Sequence, residues 1–192
     1  MERKEITAEE FFRLYAAGEK NFGIFAQLQG ANLRGLDLEG AILCNANLKG
    51  ADLREANLRG AILYDAVLRS ADLRSANLEA AQLNYVEMIE ANLTNANLSG
   101  AQLDSSNLER VNFSGANLYR VDLYAANLTG AILRNANLVG ADLDSAVFDG
   151  TDMTHANLTG AINVDIYVDI DNVILQNTIM PDGSIVSSPS RD

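Results

Sequence analysis

The 192-residue chain contains no tryptophan, two prolines, one histidine and one cysteine. The single histidine, His155, falls at a corner of the repeat described below, which excludes a histidine-based triad and a multi-histidine metal site. Cys44 cannot form an internal disulfide, so we expect an inert thiol and a fold that does not need an oxidising compartment. The sequence also lacks an apolar run of about 18 residues, the length of a membrane-spanning helix.

Basic residues are scarce as well, with 14 Lys and Arg against 26 Asp and Glu, for a formal net charge of −12. Nucleic acids and acidic membranes are bound through Lys and Arg, so this balance argues against both as direct partners. We expect instead a protein partner with a basic surface. The segment Met1–Glu5 lacks the apolar stretch of a secretory signal, which predicts a cytoplasmic location.

The most regular feature of the chain is a five-residue repeat that runs from Ala26 to Leu158 without a slip in phase. The third position of its 27 units is Leu in 23 of them and Met or Phe in the others. The first position is Ala in 21 units. A five-residue period fits neither a helix of 3.6 residues per turn nor a two-residue strand, so it indicates a solenoid.

Each unit combines a large and a small apolar residue with polar turn formers. The Leu at the centre of the unit is expected to fill the interior, and the Ala two residues earlier fits beside it. Asn or Asp precedes most of these Leu residues, and Gly often closes the unit, as at Gly30, Gly35 and Gly40. These residues favour turns, so each unit is predicted to form one short side and one corner.

With this repeat, residues 26–160 resemble the pentapeptide-repeat family, and the opening segment and residues 177–185 are similar to the ends of many cyanobacterial members. The resemblance implies an all-β fold: a right-handed, four-sided parallel β-helix with about twenty residues per coil and about seven coils. Leu36 and Val86 replace Ala and are expected to widen their coils, and Asn163 stands where an apolar centre is due. Ala is also replaced in four further units, by Ser106, Val111, Val121 and Thr151.

Residues 1–25 do not repeat and are predicted to form a capping segment. Thr7 and Glu10 have the spacing of a capping box, so a short helix is expected over residues 8–17. Gly18 is a natural stop for this helix. A helix at this place covers the open end of a solenoid, and a partner-binding helix is the alternative interpretation.

Beyond residue 160 the five-residue rhythm is lost. Apolar residues alternate from Val164 to Ile170 and predict a strand, and Pro181–Gly183 predicts a turn. We therefore expect an irregular final coil and turn over residues 161–185 and a disordered tail over residues 186–192. A homodimer through the C-terminal end is a further expectation, because the ending carries several large apolar residues: Ile166, Val168, Ile174 and Leu175.

If the coils hold about twenty residues, outward side chains stack in columns twenty residues apart and form four faces. The face that begins at Leu43 carries six Asp and no Lys or Arg, whereas the other three carry both charges. We interpret it as the candidate partner-binding face, with the following residues: Tyr64, Asp65, Tyr85, Asp104, Asp122, Tyr124, Asp142 and Asp144. Turn chemistry and solubility are the alternative explanation of Asp in exposed corners.

Two other columns are expected to be structural. Arg34, Arg54 and Arg74 lie beside acidic residues, which predicts a solvated ion-pair surface rather than an anion site. Six Asn residues spaced by twenty predict a hydrogen-bonded ladder rather than a ligand-binding array: Asn57, Asn77, Asn97, Asn117, Asn137 and Asn157.

No catalytic, cofactor-binding or metal-binding residues are predicted. The sequence has no GxxxxGK(S/T) loop, no GxGxxG after a strand and no GGxGxD calcium repeat. We therefore expect a non-catalytic binding or scaffold protein, a rigid acidic rod for protein–protein interaction. The family resemblance implies an alternative, because some members resemble duplex DNA and bind type II topoisomerases such as gyrase. Charge density argues against a close mimic, since duplex DNA carries one charge per about 1.7 Å and this face about one per 4 Å.

Overall fold

The computed structural model describes residues 5–22, 25–163 and 172–187. Every five-residue unit between residues 26 and 160 has the same local structure. The residue before the centre forms a β-bridge, the centre points inward, and the next two residues form a turn. The last residue of each turn has a φ between 52° and 68° in all 27 units. Only eleven of these residues are Gly, so sixteen positions hold a side chain in the left-handed region.

The units are joined by parallel backbone pairing at a fixed offset of twenty residues. This pairing extends from Gln27 with Asn47 to Asp142 with Ile162. Its bridges fall into four columns, each five residues further along the chain than the one before, which begin at Gln27, Asn32, Asp37 and Ile42. The coil length of twenty residues that the resemblance implies is therefore present in the described part of the chain. The right-handed sense of the winding stays a prediction.

The core is a central column of large side chains that continues through all the units. The centres from Leu28 to Leu158 are at most 1% exposed, apart from Phe148 at 9%. Burial of one such Leu contributes on the order of 1.5–3 kcal/mol, so the column is the main source of stability. The Ala residues that begin the units lie in the same cluster, and all of them from Ala41 to Ala141 are buried.

Five of the six residues that replace Ala at the first position of a unit have a longer turn hydrogen bond, and Thr151 is the exception at 3.0 Å. Where Ala stands there, its N–H lies 2.8–3.1 Å from the carbonyl of the preceding centre. That distance is 3.2 Å at Leu36 and 3.3 Å at Val86, and the widening of their coils stays a prediction. Leu36 is only partly buried and lies at the edge of the core, because the first coil has no preceding coil to cover it.

Two of the replacements carry hydroxyl groups that find partners inside the core. The Ser106 hydroxyl donates to the Leu83 carbonyl at 2.8 Å and accepts from the Val86 N–H at 3.1 Å. The Thr151 hydroxyl donates to the Leu128 carbonyl at 2.8 Å. A buried hydroxyl is tolerated when it is hydrogen-bonded, so these polar residues replace Ala without leaving an unpaired group.

The first coil is covered by a short helix. Strand β1 (Ile6–Thr7) pairs in parallel with β2 (Ala26–Gln27), and helix α1 (Ala8–Ala16) lies between them in the chain. The Thr7 hydroxyl accepts from the Glu10 N–H at 3.2 Å, as the capping-box spacing predicts. The helix ends at Ala16, one residue before the predicted end, and Gly18 follows with a φ of 82°.

Aromatic packing joins α1 to the core. Phe11 is fully buried, and its ring centroid lies 4.3 Å from that of Phe22. The Tyr15 hydroxyl accepts from the Asp37 N–H at 3.2 Å in the first coil. These contacts favour the capping role of the helix over the alternative of a partner-binding helix.

Five of the six Asn residues of this column form the predicted ladder, whereas the Asn157 carbonyl oxygen binds Thr159 of its own turn instead. Each side-chain amide from Asn77 to Asn137 donates to the Asn carbonyl oxygen one coil earlier, at 3.0–3.3 Å. Asn57 begins the ladder by donating to Asp37 at 3.0 Å. The same carbonyl oxygens accept backbone N–H groups two residues later in their own turns. The ladder therefore joins neighbouring coils and also stabilises the turn within each coil.

The pairing offset changes in the last coil. Asp152 pairs with Ile174 and Asn157 with Ile179, an offset of 22 residues, so two additional residues lie between Ile162 and Ile174. Asn163 is exposed rather than central, and its amide donates to Asp142 at 3.1 Å. The final coil, which the sequence predicts to be irregular, is therefore irregular where Asn163 replaces an apolar centre. The strand predicted from Val164 to Ile170 lies outside the described residues.

The last described segment of the chain forms a β-hairpin. Strand β3 (Thr178–Ile179) pairs antiparallel with β4 (Ile185–Val186), and the predicted turn at Pro181–Gly183 joins them. Val186 was assigned to the disordered tail by the sequence, and this is corrected because its backbone pairs with Thr178. The rest of the predicted tail, from residue 188 onward, lies outside the described residues.

We predict that Leu98→Ala lowers the free energy of unfolding by about 2–5 kcal/mol, because the column closes poorly around a cavity. Leu98 is fully buried at the middle of the rod. Chemical denaturation monitored by circular dichroism measures the change. The outward residue Gln102 is the control, and Gln102→Ala is expected to stay within about 0.5 kcal/mol of the wild type. Equal losses in the two variants contradict the assignment of the core.

We predict that Asn97→Ala is more destabilising than Asn107→Ala by about 1–3 kcal/mol. The Asn97 side chain takes part in three hydrogen bonds, to Asn77, Ser99 and Asn117. Asn107 occupies an equivalent position in another column, but its side chain makes one, to the Glu109 N–H. The same denaturation measurement compares the two variants, and equal effects contradict a stabilising ladder.

Candidate partner-binding face

The candidate face consists of outward side chains from the units centred on Leu43, Leu63, Leu83, Leu103, Leu123 and Leu143. We call it the acidic face. The bridge between Asp122 and Asp142 fixes the register of one of its columns. In the next column, the Ser105 N–H binds the Tyr124 carbonyl at 2.7 Å, and the Ala125 N–H binds the Asp144 carbonyl at 2.8 Å. Side chains twenty residues apart therefore lie on neighbouring coils, about 4.8 Å apart along the rod.

The structure brings all eight predicted residues to this one face. Tyr85 and Tyr124 are the most exposed aromatic residues of the described chain, at 58% and 48%. Asp65 is exposed. The other five are half-buried, since neighbouring coils cover part of each side chain: Tyr64, Asp104, Asp122, Asp142 and Asp144.

Tyr124 lies at the centre of the carboxylates. Asp104 and Asp144 occupy the same column on the coils before and after it. Asp122 belongs to its own coil, and one carboxylate oxygen accepts from the Tyr124 N–H at 3.0 Å. Three Asp residues thus neighbour the exposed Tyr124 on a backbone of fixed register.

The carboxylates of this face bind neutral donors only. Asp142 accepts from the Asp144 N–H at 3.2 Å and from Asn163 at 3.1 Å, and Asp144 accepts from the Ser145 hydroxyl. Within residues 5–22, 25–163 and 172–187, no Lys or Arg forms an ion pair with any Asp of the acidic face. Their mutual repulsion is therefore not relieved by a cation of the described chain.

The other faces show the opposite arrangement. Arg54 binds Asp52 at 2.5 Å and lies 3.6 Å from Asp72, and Arg74 binds Asp72 at 2.7 Å. Further pairs join Arg34 to Glu55, Arg59 to Glu39 and Glu79, Arg69 to Glu87, Arg110 to Glu90 and Glu109, and Arg134 to Asp152. The predicted ion-pair surface at Arg34, Arg54 and Arg74 is confirmed.

These pairs lower the pKa of their carboxyl groups. The Arg54 side chain, through its hydrogen bonds to Asp52, holds the pKa of that carboxyl at about 2. Arg74 lowers the pKa of Asp72 in the same way. At Asp152 burial acts to raise the pKa, but hydrogen bonds from Thr154 and Arg134 outweigh it and the pKa falls.

Two residues of the acidic face are more buried than their outward positions in the repeat predict. Asn84 follows the centre of its unit, as Tyr64 and Asp104 do, but it is only 8% exposed, because its side chain lies between theirs in the same column. Its amide donates to Asp104, and its carbonyl oxygen is buried without a hydrogen-bond partner. The sequence signal for the burial of Asn84 was its spacing, because it lies twenty residues from each of two predicted site residues, Tyr64 and Asp104. Cys44 is half-buried, since Tyr64 follows it on the next coil.

Other kinds of site receive no support from the described chain. His155 is exposed in a turn with a φ of 60°. Over the described ranges, no three His, Cys, Asp or Glu residues are grouped so that they could hold a metal ion. Nor does any helix there have the length and apolar character needed to cross a membrane.

Comparison with known proteins identifies the class of this repeat. The family model of pentapeptide repeats matches in eight copies, over residues 24–60, 61–100, 96–135 and 122–160. The chain belongs to the pentapeptide repeat family. No curated protein matches it.

Several solved structures are similar to the chain. HetL, a pentapeptide repeat protein involved in heterocyst differentiation regulation in the cyanobacterium Nostoc sp. strain PCC 7120, is 31% identical, with 94% of this chain and 100% of HetL covered and a TM-score of 0.27. The pentapeptide repeat protein alr5209 from Nostoc PCC 7120 is 34% identical over 61% of this chain and 84% of its own, with a TM-score of 0.36. QnrB1, a plasmid-mediated fluoroquinolone resistance protein, is 21% identical over 81% of this chain and 89% of its own, with a TM-score of 0.43.

We predict that Asp142→Asn raises the free energy of unfolding by about 0.2–1 kcal/mol at low ionic strength, because it removes repulsion among stacked carboxylates. The Asn carbonyl can still accept from the Asp144 N–H. The gain should shrink as salt screens the repulsion. Urea denaturation at about 10 mM and about 500 mM salt measures it, because the Debye length falls from about 30 Å to about 4 Å between them. A loss of stability at low salt contradicts the absence of a cation on this face.

We predict the reverse for Asp52→Asn, which removes a carboxylate bound by Arg54. Because the pKa of Asp52 is lowered from 3.8 to about 2, its stabilisation is complete above its unfolded-state pKa. It is lost as the pH falls from about 4 towards 2. Denaturation from neutral pH down to about pH 2 should show the variant less stable than wild type at neutral pH and equally stable at the acid end. A stability difference that does not change with pH contradicts the lowered pKa.

Proposed function

We propose that this protein is a non-catalytic scaffold in the cytoplasm: a right-handed, four-sided β-helical rod whose acidic face binds a protein with a basic surface. The observation that carries the proposal is the segregation of charge pairing. Within the described chain, every carboxylate on the other three faces except Asp149 has a cationic partner, whereas those around Tyr124 have none. A basic protein surface supplies the missing cations, and the exposed Tyr rings supply contact area.

The proposal requires neither catalysis nor a cofactor. Its binding energy comes from charge complementarity and from the aromatic side chains, which dominate many protein interfaces. The fixed twenty-residue register presents these groups on a rigid surface, so little conformational entropy is lost on binding. Neither nucleic acid nor a membrane is a partner in this proposal, since both are anionic.

Capture from an extract of the native host tests the proposal. In one variant Asp122, Asp142 and Asp144 are changed to Lys, and it should retain less than about a tenth of the partner captured by wild type. The matched control makes the same change of charge elsewhere, at Glu19, Glu90 and Asp149, all of which are exposed. Circular dichroism verifies that both variants are folded. The proposal fails if the acidic-face variant captures every wild-type partner, or if both variants lose them equally.

Modulation of a type II topoisomerase is the alternative function. A rod of net charge −12 is compatible with it. The acidic face has five Asp in the described chain over four coil steps, about one charge per 4 Å, against one per about 1.7 Å in duplex DNA. A DNA supercoiling assay with gyrase at micromolar protein tests it, and unchanged supercoiling removes this alternative.

We also propose self-association through the C-terminal end. Ile174 and Ile185 are 44% and 63% exposed there, although Leu175 is buried in the core. Sedimentation at high protein concentration should show a dimer that Ile185→Asp converts to a monomer. A monomer of the wild-type protein at all concentrations contradicts it.

A further inference from the structure

We draw no further inference here: the strongest candidate, the surface patch of exposed apolar side chains at Ile162, Ile174 and Ile185 at the C-terminal end of the rod, belongs to the self-association already proposed, and nothing in the structure shows what other partner covers it.

Discussion

Every coil depends on one conformational constraint, the left-handed residue that closes each five-residue unit. With φ between 52° and 68°, this residue turns the chain through a corner after each buried centre. A Cβ in this region costs on the order of 1–2 kcal/mol, and sixteen of the 27 corners carry one. The buried Leu column and the inter-coil hydrogen bonds hold these corners in place. If one corner relaxed, every later column would lose its register.

The same constraint determines the surface. Since all units have one length and one turn, outward side chains form straight columns, and neighbours in a column are twenty residues apart in sequence. Charges on neighbouring coils are therefore either paired across adjacent columns, as at Arg54 and Asp72, or left to repel one another within a column, as at Asp122 and Asp142. The acidic face keeps its repulsion without a cation in the described chain. That is the physical basis for regarding it as a contact surface.

Most of the fold and much of the candidate site could be predicted because the repeat is exact. The buried column, the Asn ladder and the common face of Tyr85, Tyr124 and the Asp residues follow from counting by twenty. Counting could not show that Asn84 is buried, since burial depends on the size of the side chains above and below it. Nor could it show that Arg120 stacks on Tyr119, because a long side chain has several conformations that only packing selects.

By itself, the sequence determined the periodicity, the identity of the core and the residues that share each face. These follow from a five-residue period in which a large and a small apolar residue alternate with turn formers. Tertiary structure alone decided which charges have partners and how the last coil ends. The offset of 22 residues beyond Asp142 and the exposure of Asn163 depend on how the chain packs after the repeat stops. Periodicity is a local property of the chain, whereas pairing, burial and exposure depend on neighbours that the fold brings together.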